Sequence, residues 1–150
     1  MENVLNFYQL TDRIASAGQP LPDQFSKIHE AGYSVVINLA MSDAMNAVPE
    51  EEKIIRSLGL THVHMPVPFD DPNLSHVKAF FGVMDAFQNE KVFVHCALNL
   101  RVSAFLYLYL TLRDDLAPEQ ATTPFLKEWQ PKMDEKWTSI INLTKQEIEI

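Results

Sequence analysis

The reactive potential of this chain is concentrated in one stretch, Val92-Phe-Val-His95-Cys96-Ala97-Leu98-Asn99-Leu100-Arg101-Val-Ser103. An apolar, β-branched run ends at His95 and Cys96, four residues follow, and Arg101 opens a segment with helical spacing. Strand, short loop and helix in this order leave the amides of the loop and of the first helical turn without intrahelical partners. The helix dipole adds positive potential at the same place, so the turn attracts an oxyanion or stabilises a thiolate. A free cysteine titrates at about 8.5, and a helix N-terminus with a nearby cation lowers that by several units, which makes a nucleophile at neutral pH. Cys96 is therefore the candidate nucleophile and Arg101 the candidate anion clamp. The plainer reading of Cys96 is a small buried residue closing a strand end.

Composition bounds what such a site serves. The 150 residues are 47% hydrophobic, enough for one ordinary core, and a single domain spanning 1–150 is expected. Twenty Asp and Glu against twelve Lys and Arg leave a charge of −8, the wrong sign for gripping nucleic acid or an anionic membrane. A single cysteine excludes an intrachain disulfide and a multi-cysteine metal site. The longest apolar run, Val102 to Leu112, is interrupted by Ser103 and Thr111 and falls short of the roughly 18 residues of a membrane span, so a soluble protein is expected. Met1 to Tyr8 lacks the basic region and cleavage site of a secretory leader. The expected location is cytoplasmic, or periplasmic if a leader was removed.

Four short β-branched stretches alternate with segments of helical spacing, which predicts an α/β fold with a mainly parallel central sheet of four to five strands flanked by helices. The strands fall at Ile14 to Ala17, Ser34 to Leu39, Thr61 to Met65 and Lys91 to His95. Helices are expected over Pro22 to Ala31, ending at Gly32, and from Pro49, with Glu50, Glu51 and Glu52 meeting the positive end of the dipole. The spacing of Leu74, Val77, Phe80, Phe81, Met84 and Phe87 predicts an amphipathic helix over Leu74 to Phe87. Arg101 to Arg113 is apolar nearly all round and reads as a buried central helix; Pro118 to Ile150 reads as two more helices broken near Pro131.

His95-Cys96 with Arg101 and Ser103 resembles the phosphate-binding loop of cysteine-dependent protein tyrosine and dual-specificity phosphatases. The chain is similar, more narrowly, to a bacterial phosphatase-like family related to a domain fused to β-lactamase-like hydrolases. The blocks that carry the similarity are Arg13-Ile-Ala-Ser-Ala-Gly-Gln-Pro20, Val35-Val-Ile-Asn-Leu39, His64-Met-Pro-Val-Pro-Phe69 and the loop, in that order. A tyrosine-phosphatase-like three-layer architecture is what this resemblance implies. The usual motif places five residues between cysteine and arginine, a glycine third after the cysteine, and a Ser or Thr directly after the arginine. Here only Ala97, Leu98, Asn99 and Leu100 intervene, a Cys-x4-Arg loop. Aligned without a gap, Asn99 takes the glycine position and Ser103 that of the hydroxyl, but Val102 stands where the arginine belongs; with a one-residue deletion, Arg101 is in register and Val102 replaces the hydroxyl. Both alignments are open, and moving an arginine by one helical residue rotates its side chain by about 100°.

The resemblance implies a cysteine-dependent phosphatase that hydrolyses a phosphate monoester, on a small molecule or a phosphopeptide, through a cysteinyl-phosphate, without cofactor or metal. Cys96 would attack phosphorus while Arg101 and the amides of Ala97, Leu98, Asn99 and Leu100 hold the oxygens. His95 would tune the thiolate and Ser103 assist departure of the sulfur. The proton donor would come from Phe69-Asp70-Asp71-Pro72, with Asp70 preferred over Asp71; a solvated turn and helix cap is the alternative for both. Gln19 is a candidate substrate contact at the rim. His62 and His64 share a strand face but lack a third ligand and read as packed residues, and Trp129 and Trp137 as seals of the helical layer. Two further readings compete. A six-residue loop from Cys96 to Arg101 is the size that rhodanese-type sulfurtransferases use for a persulfide, and a rearranged loop suits a non-catalytic phosphate- or sulfate-binding module.

Overall fold

In the computed structural model, which describes residues 1–150, the alternating apolar and amphipathic runs form a five-stranded sheet with helices on both faces. The strands are β1 (Tyr8–Gln9), β2 (Ile14–Ala17), β3 (Val35–Asn38), β4 (Thr61–His64) and β5 (Val92–His95), arranged across the sheet as β1-β2-β5-β3-β4. Only the edge pair of β1 and β2 is antiparallel; β2, β5, β3 and β4 run parallel. The mainly parallel α/β sheet expected from the sequence is therefore observed. Strand β1 is an addition, too short at two residues to show a period.

The helices are α1 (Phe25–Glu30), α2 (Glu51–Ser57), α3 (Leu74–Ala86), α4 (Leu100–Leu108), α5 (Pro124–Trp129), α6 (Glu135–Ile141) and α7 (Lys145–Ile148). Helix α2 begins two residues after Pro49, and the expected run to Arg113 is α4 followed by a wider π turn over Tyr109–Arg113. There the Thr111 hydroxyl donates back to the Tyr107 carbonyl at 2.7 Å, a contact that loosens helical hydrogen bonding. The tail holds three α-helices rather than two. It breaks around Pro131 as expected, but α7 is a separate turn held by a reciprocal cap between Thr144 and Glu147, too short for periodicity to reveal. No helix is long and apolar enough to cross a membrane.

Strand β5 lies at the centre of the sheet with all four residues buried. Its side chains alternate between layers, as the pleat requires. Val92 and Val94, with Cys96 just beyond, join the larger core built with α3 to α7, whereas Phe93 joins the smaller one with Phe25, Ile28 and Ile55 of α1 and α2. His95 follows Phe93, its ring centroid 6.4 Å from that of Phe25. Two adjacent residues, His95 and Cys96, thus serve opposite layers at the carboxyl end of the central strand, the edge at which open α/β sheets bind ligands.

Candidate active site

Between β5 and α4 the chain turns through Cys96, Ala97, Leu98 and Asn99. Asn99 has φ 71° and ψ 13°, a left-handed conformation that costs most L-residues about 1–2 kcal/mol and is best tolerated by Gly, Asn and Asp. It stands third after the cysteine, where the usual phosphatase motif has glycine. Its buried amide secures the turn: Nδ2 donates to the Asn6 carbonyl (2.8 Å) and to Ser16 Oγ (3.1 Å), while Oδ1 accepts from Ser103 Oγ (3.0 Å). The Ser103 hydroxyl also lies 2.6 Å from Thr123 Oγ1. With its proton given to Asn99, Ser103 is tied to the scaffold of the loop, and no hydrogen bond joins it to Cys96.

The loop carbonyls are clamped from outside. Cys96 O lies 3.2 Å from His95 Nδ1; Ala97 O accepts from the Gln19 amide (3.1 Å) and Asn46 Nδ2 (3.0 Å); Leu98 O accepts from Asn6 Nδ2 (3.0 Å). In a trans peptide the N–H points opposite the C=O, so these clamps turn the following amides the other way. The amides of Ala97, Leu98, Leu100, Arg101 and Val102 donate to no protein acceptor. Gly18 is required by the same packing, because a Cβ there would meet Ala97 O at 2.8 Å.

Arg101 leaves the first turn of α4 and is 7% exposed. Its Nη1 donates to the Val67 carbonyl at 2.9 Å, and the guanidinium carbon sits 5.8 Å from the centroid of the Phe69 ring. Its Nε is buried with no partner. An unsatisfied buried donor costs about 1–3 kcal/mol, more for a charged group. Arg101, Cys96, Ala97, Leu98, Leu100 and Phe69 line one cavity of about 240 Å³. Leu98 and Phe69 are its exposed members, and the walls are otherwise apolar.

Phe69 is held from behind by Trp129 and Trp137, with ring centroids 5.5 and 5.7 Å away, and Trp137 Nε1 donates to the Phe69 carbonyl at 2.7 Å. The two tryptophans therefore seal the helical layer and carry the loop that overhangs Cys96. Asp70 and Asp71, next on that loop, are both exposed. Lys136 Nζ donates to the Asp70 carbonyl (3.0 Å) and pairs with Asp71 Oδ1 (3.4 Å), which leaves the Asp70 carboxylate without a protein partner.

On the opposite face of the sheet lies a polar cluster that the sequence reading did not assemble. Glu51, 4% exposed, takes His95 Nε2 at 2.8 Å and His62 Nε2 at 3.0 Å on Oε2, and Gln19 Nε2 at 2.7 Å on Oε1. Burial by itself would raise the Glu51 carboxyl, but the hydrogen bonds from His62 and His95, the His95 charge and the Gln19 amide outweigh it and hold the group well below the usual carboxylate range. Gln19 faces this cluster and does not line the Cys96 cavity. The His62 and His64 rings stack with centroids 6.2 Å apart, but their Nε2 atoms have separate partners, Glu51 and the Ala40 carbonyl. Nothing in Glu50-Glu51-Glu52 singles out the middle residue, because only the seating of α2 on the sheet decides which of the three is buried.

No protein-family model and no curated protein sequence matches the chain. Among solved structures, a "Putative phosphatase (DUF442)" from Shewanella putrefaciens CN-32 is 31% identical over 99% of this chain and 93% of that one, with a TM-score of 0.85. The chain belongs to the DUF442 family. Its fold extends to more distant phosphatases. The core catalytic domain of the PP-IP phosphatase SIW14 from S. cerevisiae, in complex with citrate, aligns with a TM-score of 0.76 at 14% identity, over 97% of this chain and 90% of that one. P. aeruginosa TpbA, in complex with pTyr, aligns with a TM-score of 0.70 at 14% identity, over 97% and 86%. This DUF442 chain thus has the cysteine-phosphatase fold that the loop and the upstream blocks led us to expect. Asn99, third after the cysteine, is left-handed, and Arg101 lines the cavity that Cys96 lines despite the shorter spacing between them.

Proposed function

We propose that residues 1–150 act as one phosphatase-like domain that hydrolyses phosphate monoesters with Cys96 as nucleophile. The observation that carries this reading is that Arg101, whose buried Nε has no protein partner, lines the same cavity as Cys96. A charged donor left without an acceptor marks the place of an oxyanion. The free amides of Ala97, Leu98, Leu100, Arg101 and Val102 and the dipole of α4 supply further positive potential around it. The thiolate of Cys96 attacks phosphorus, an S–P bond forms as the ester P–O bond breaks, and the leaving oxygen takes the proton of Asp70. Water then hydrolyses the cysteinyl-phosphate, giving its proton back to Asp70 and releasing phosphate and the thiolate. Asp70 is preferred to Asp71 because Lys136 engages the second carboxylate. The apolar walls favour a substrate whose charge is confined to its phosphate, a small phosphoester or a phosphopeptide. That a pTyr complex and a citrate complex exist for proteins of this fold is consistent with an anionic ligand.

Turnover of an activated aryl phosphate by the parent and by Cys96→Ser tests the reading. Hydrolysis by the parent and none by the variant is expected, and equal turnover would overturn it. The six-residue loop favours one alternative, sulfur transfer through a persulfide on Cys96. Thiosulfate with cyanide decides that case, since thiocyanate appears only for a sulfurtransferase. Phosphate binding with no turnover on a panel of phosphoesters would identify an anion-binding module instead.

A further inference from the structure

The cluster behind the loop sets one histidine between two acceptors. His95 is fully buried, and both of its ring nitrogens face acceptors: Nε2 the Glu51 carboxylate at 2.8 Å, and Nδ1 the carbonyl of Cys96 at 3.2 Å. A carbonyl oxygen accepts and never donates, and a carboxylate that already receives N–H groups from Gln19 and His62 is ionised. A neutral imidazole has one N–H and satisfies only one of these acceptors; the imidazolium satisfies both. The other elements packed against the ring bring no competing charge: Phe25 of α1 offers an aromatic face, while His62 of β4 and Gln19 after β2 reach it only through Glu51.

We propose that Glu51 is a positioning residue for the chemistry at Cys96, holding His95 as an imidazolium whose second N–H clamps the Cys96 carbonyl. The clamp fixes the plane of the Cys96–Ala97 peptide and turns the Ala97 amide to the side opposite His95, where it has no protein acceptor. The charge of the ring thus reaches the nucleophile's loop through the Cys96 carbonyl that it holds. Glu51 thereby acts across the sheet: an acid on α2 sets the state of a nucleophile that faces the other layer. His62 shares the carboxylate but not the clamp, so it is not needed for the protonation of His95. The inference rests on Cys96 being the reactive group, while its test needs no turnover.

Nitrogen-15 NMR of the imidazoles in the parent protein reads the state directly. His95 should carry both protons at neutral pH, as its two acceptors require. In Glu51→Gln, His95 should become a neutral tautomer at that pH, and alkylation of Cys96 by iodoacetamide should slow about tenfold as the loop loses the charged clamp behind it. His62→Asn should keep the imidazolium signature and alkylate within about twofold of the parent. A neutral His95 in the parent at neutral pH overturns the proposal, and so does an E51Q variant that keeps the imidazolium or alkylates at the parent rate. Because the parent spectrum alone can overturn it, the proposal stays testable even if E51Q does not fold. A chain without phosphatase turnover but with these signatures would overturn the hydrolase reading and leave this one standing.

Discussion

The two sides of the sheet at the carboxyl end of β5 are built on opposite terms. Behind the loop, Glu51, His95, His62 and Gln19 form a buried polar cluster in which each carboxylate oxygen is met by a donor. In front of it, Cys96 and Arg101 line an apolar cavity, and on that side the Arg101 Nε and several loop amides lack protein acceptors. Unpaired buried polar groups are costly, and folded proteins keep few of them. Their confinement to one side separates scaffold from site: the satisfied cluster holds geometry, and the unsatisfied one awaits a ligand. The carbonyls of Cys96 and Ala97, engaged by His95 Nδ1 and the Gln19 backbone N–H, are hydrogen-bonded links between them.

Each side can be broken separately. The largest effect should come from the front, where Cys96→Ser removes the nucleophile and reduces aryl phosphate hydrolysis to background in a steady-state assay. Arg101→Lys comes next, because a lysine cannot reproduce the fixed fork of donors. It should lower kcat by about 10²–10³, the usual loss for one transition-state donor, and abolish the rise in melting temperature that added phosphate gives the parent.

Behind the loop the effects should be on stability. Glu51→Gln breaks a buried ion pair and should cost about 3 kcal/mol in urea unfolding at neutral pH. The sign of its pH dependence follows from the lowered carboxyl: a group whose folded-state value lies below its unfolded one contributes above the unfolded value and loses that contribution as pH falls towards the folded value. The gap between parent and variant should therefore be full at neutral pH and shrink below about pH 4.5, near the ordinary glutamate value. Asn99→Ala, which strains a left-handed residue and takes a partner from the Asn6 carbonyl, Ser16 and Ser103, should cost about 2 kcal/mol, whereas Asn99→Gly keeps the backbone and should cost less by roughly the 1–2 kcal/mol of that strain. At the rim the pair of Lys136 and Asp71 is exposed, and Lys136→Ala should change stability by less than about 1 kcal/mol.

The front of the site was legible because it is local. Cys96, the loop and Arg101 are contiguous, and their order along strand, turn and helix carries the chemistry without reference to the rest of the chain. The strands at Ile14, Val35, Thr61 and Val92 were readable for the same reason, and so was the helix from Leu74, each being a short segment with its own period. The rear was not legible. Gln19, Glu51, His62 and His95 lie on four separate segments; His95 was read beside the thiolate and Gln19 at the rim, but nothing joined them to a helix-start acid and a packed histidine. Phe69 was likewise read only as the neighbour of Asp70, although it lines the cavity and rests on two tryptophans some sixty residues further along the chain.

The sequence by itself determined the class of fold, the strand-to-helix turn that presents Cys96, and the left-handed tolerance of Asn99, since all of these depend on residue type and short-range spacing. Which way Arg101 points was decided only by the tertiary structure. The loop is one residue shorter than the usual motif, and it is packing against Val67 and Phe69, far off in sequence, that fixes the guanidinium beside a wall of the Cys96 cavity. Long-range packing likewise chose Glu51 from three consecutive glutamates and set it against His95, because the seating of α2 on the sheet depends on distant residues.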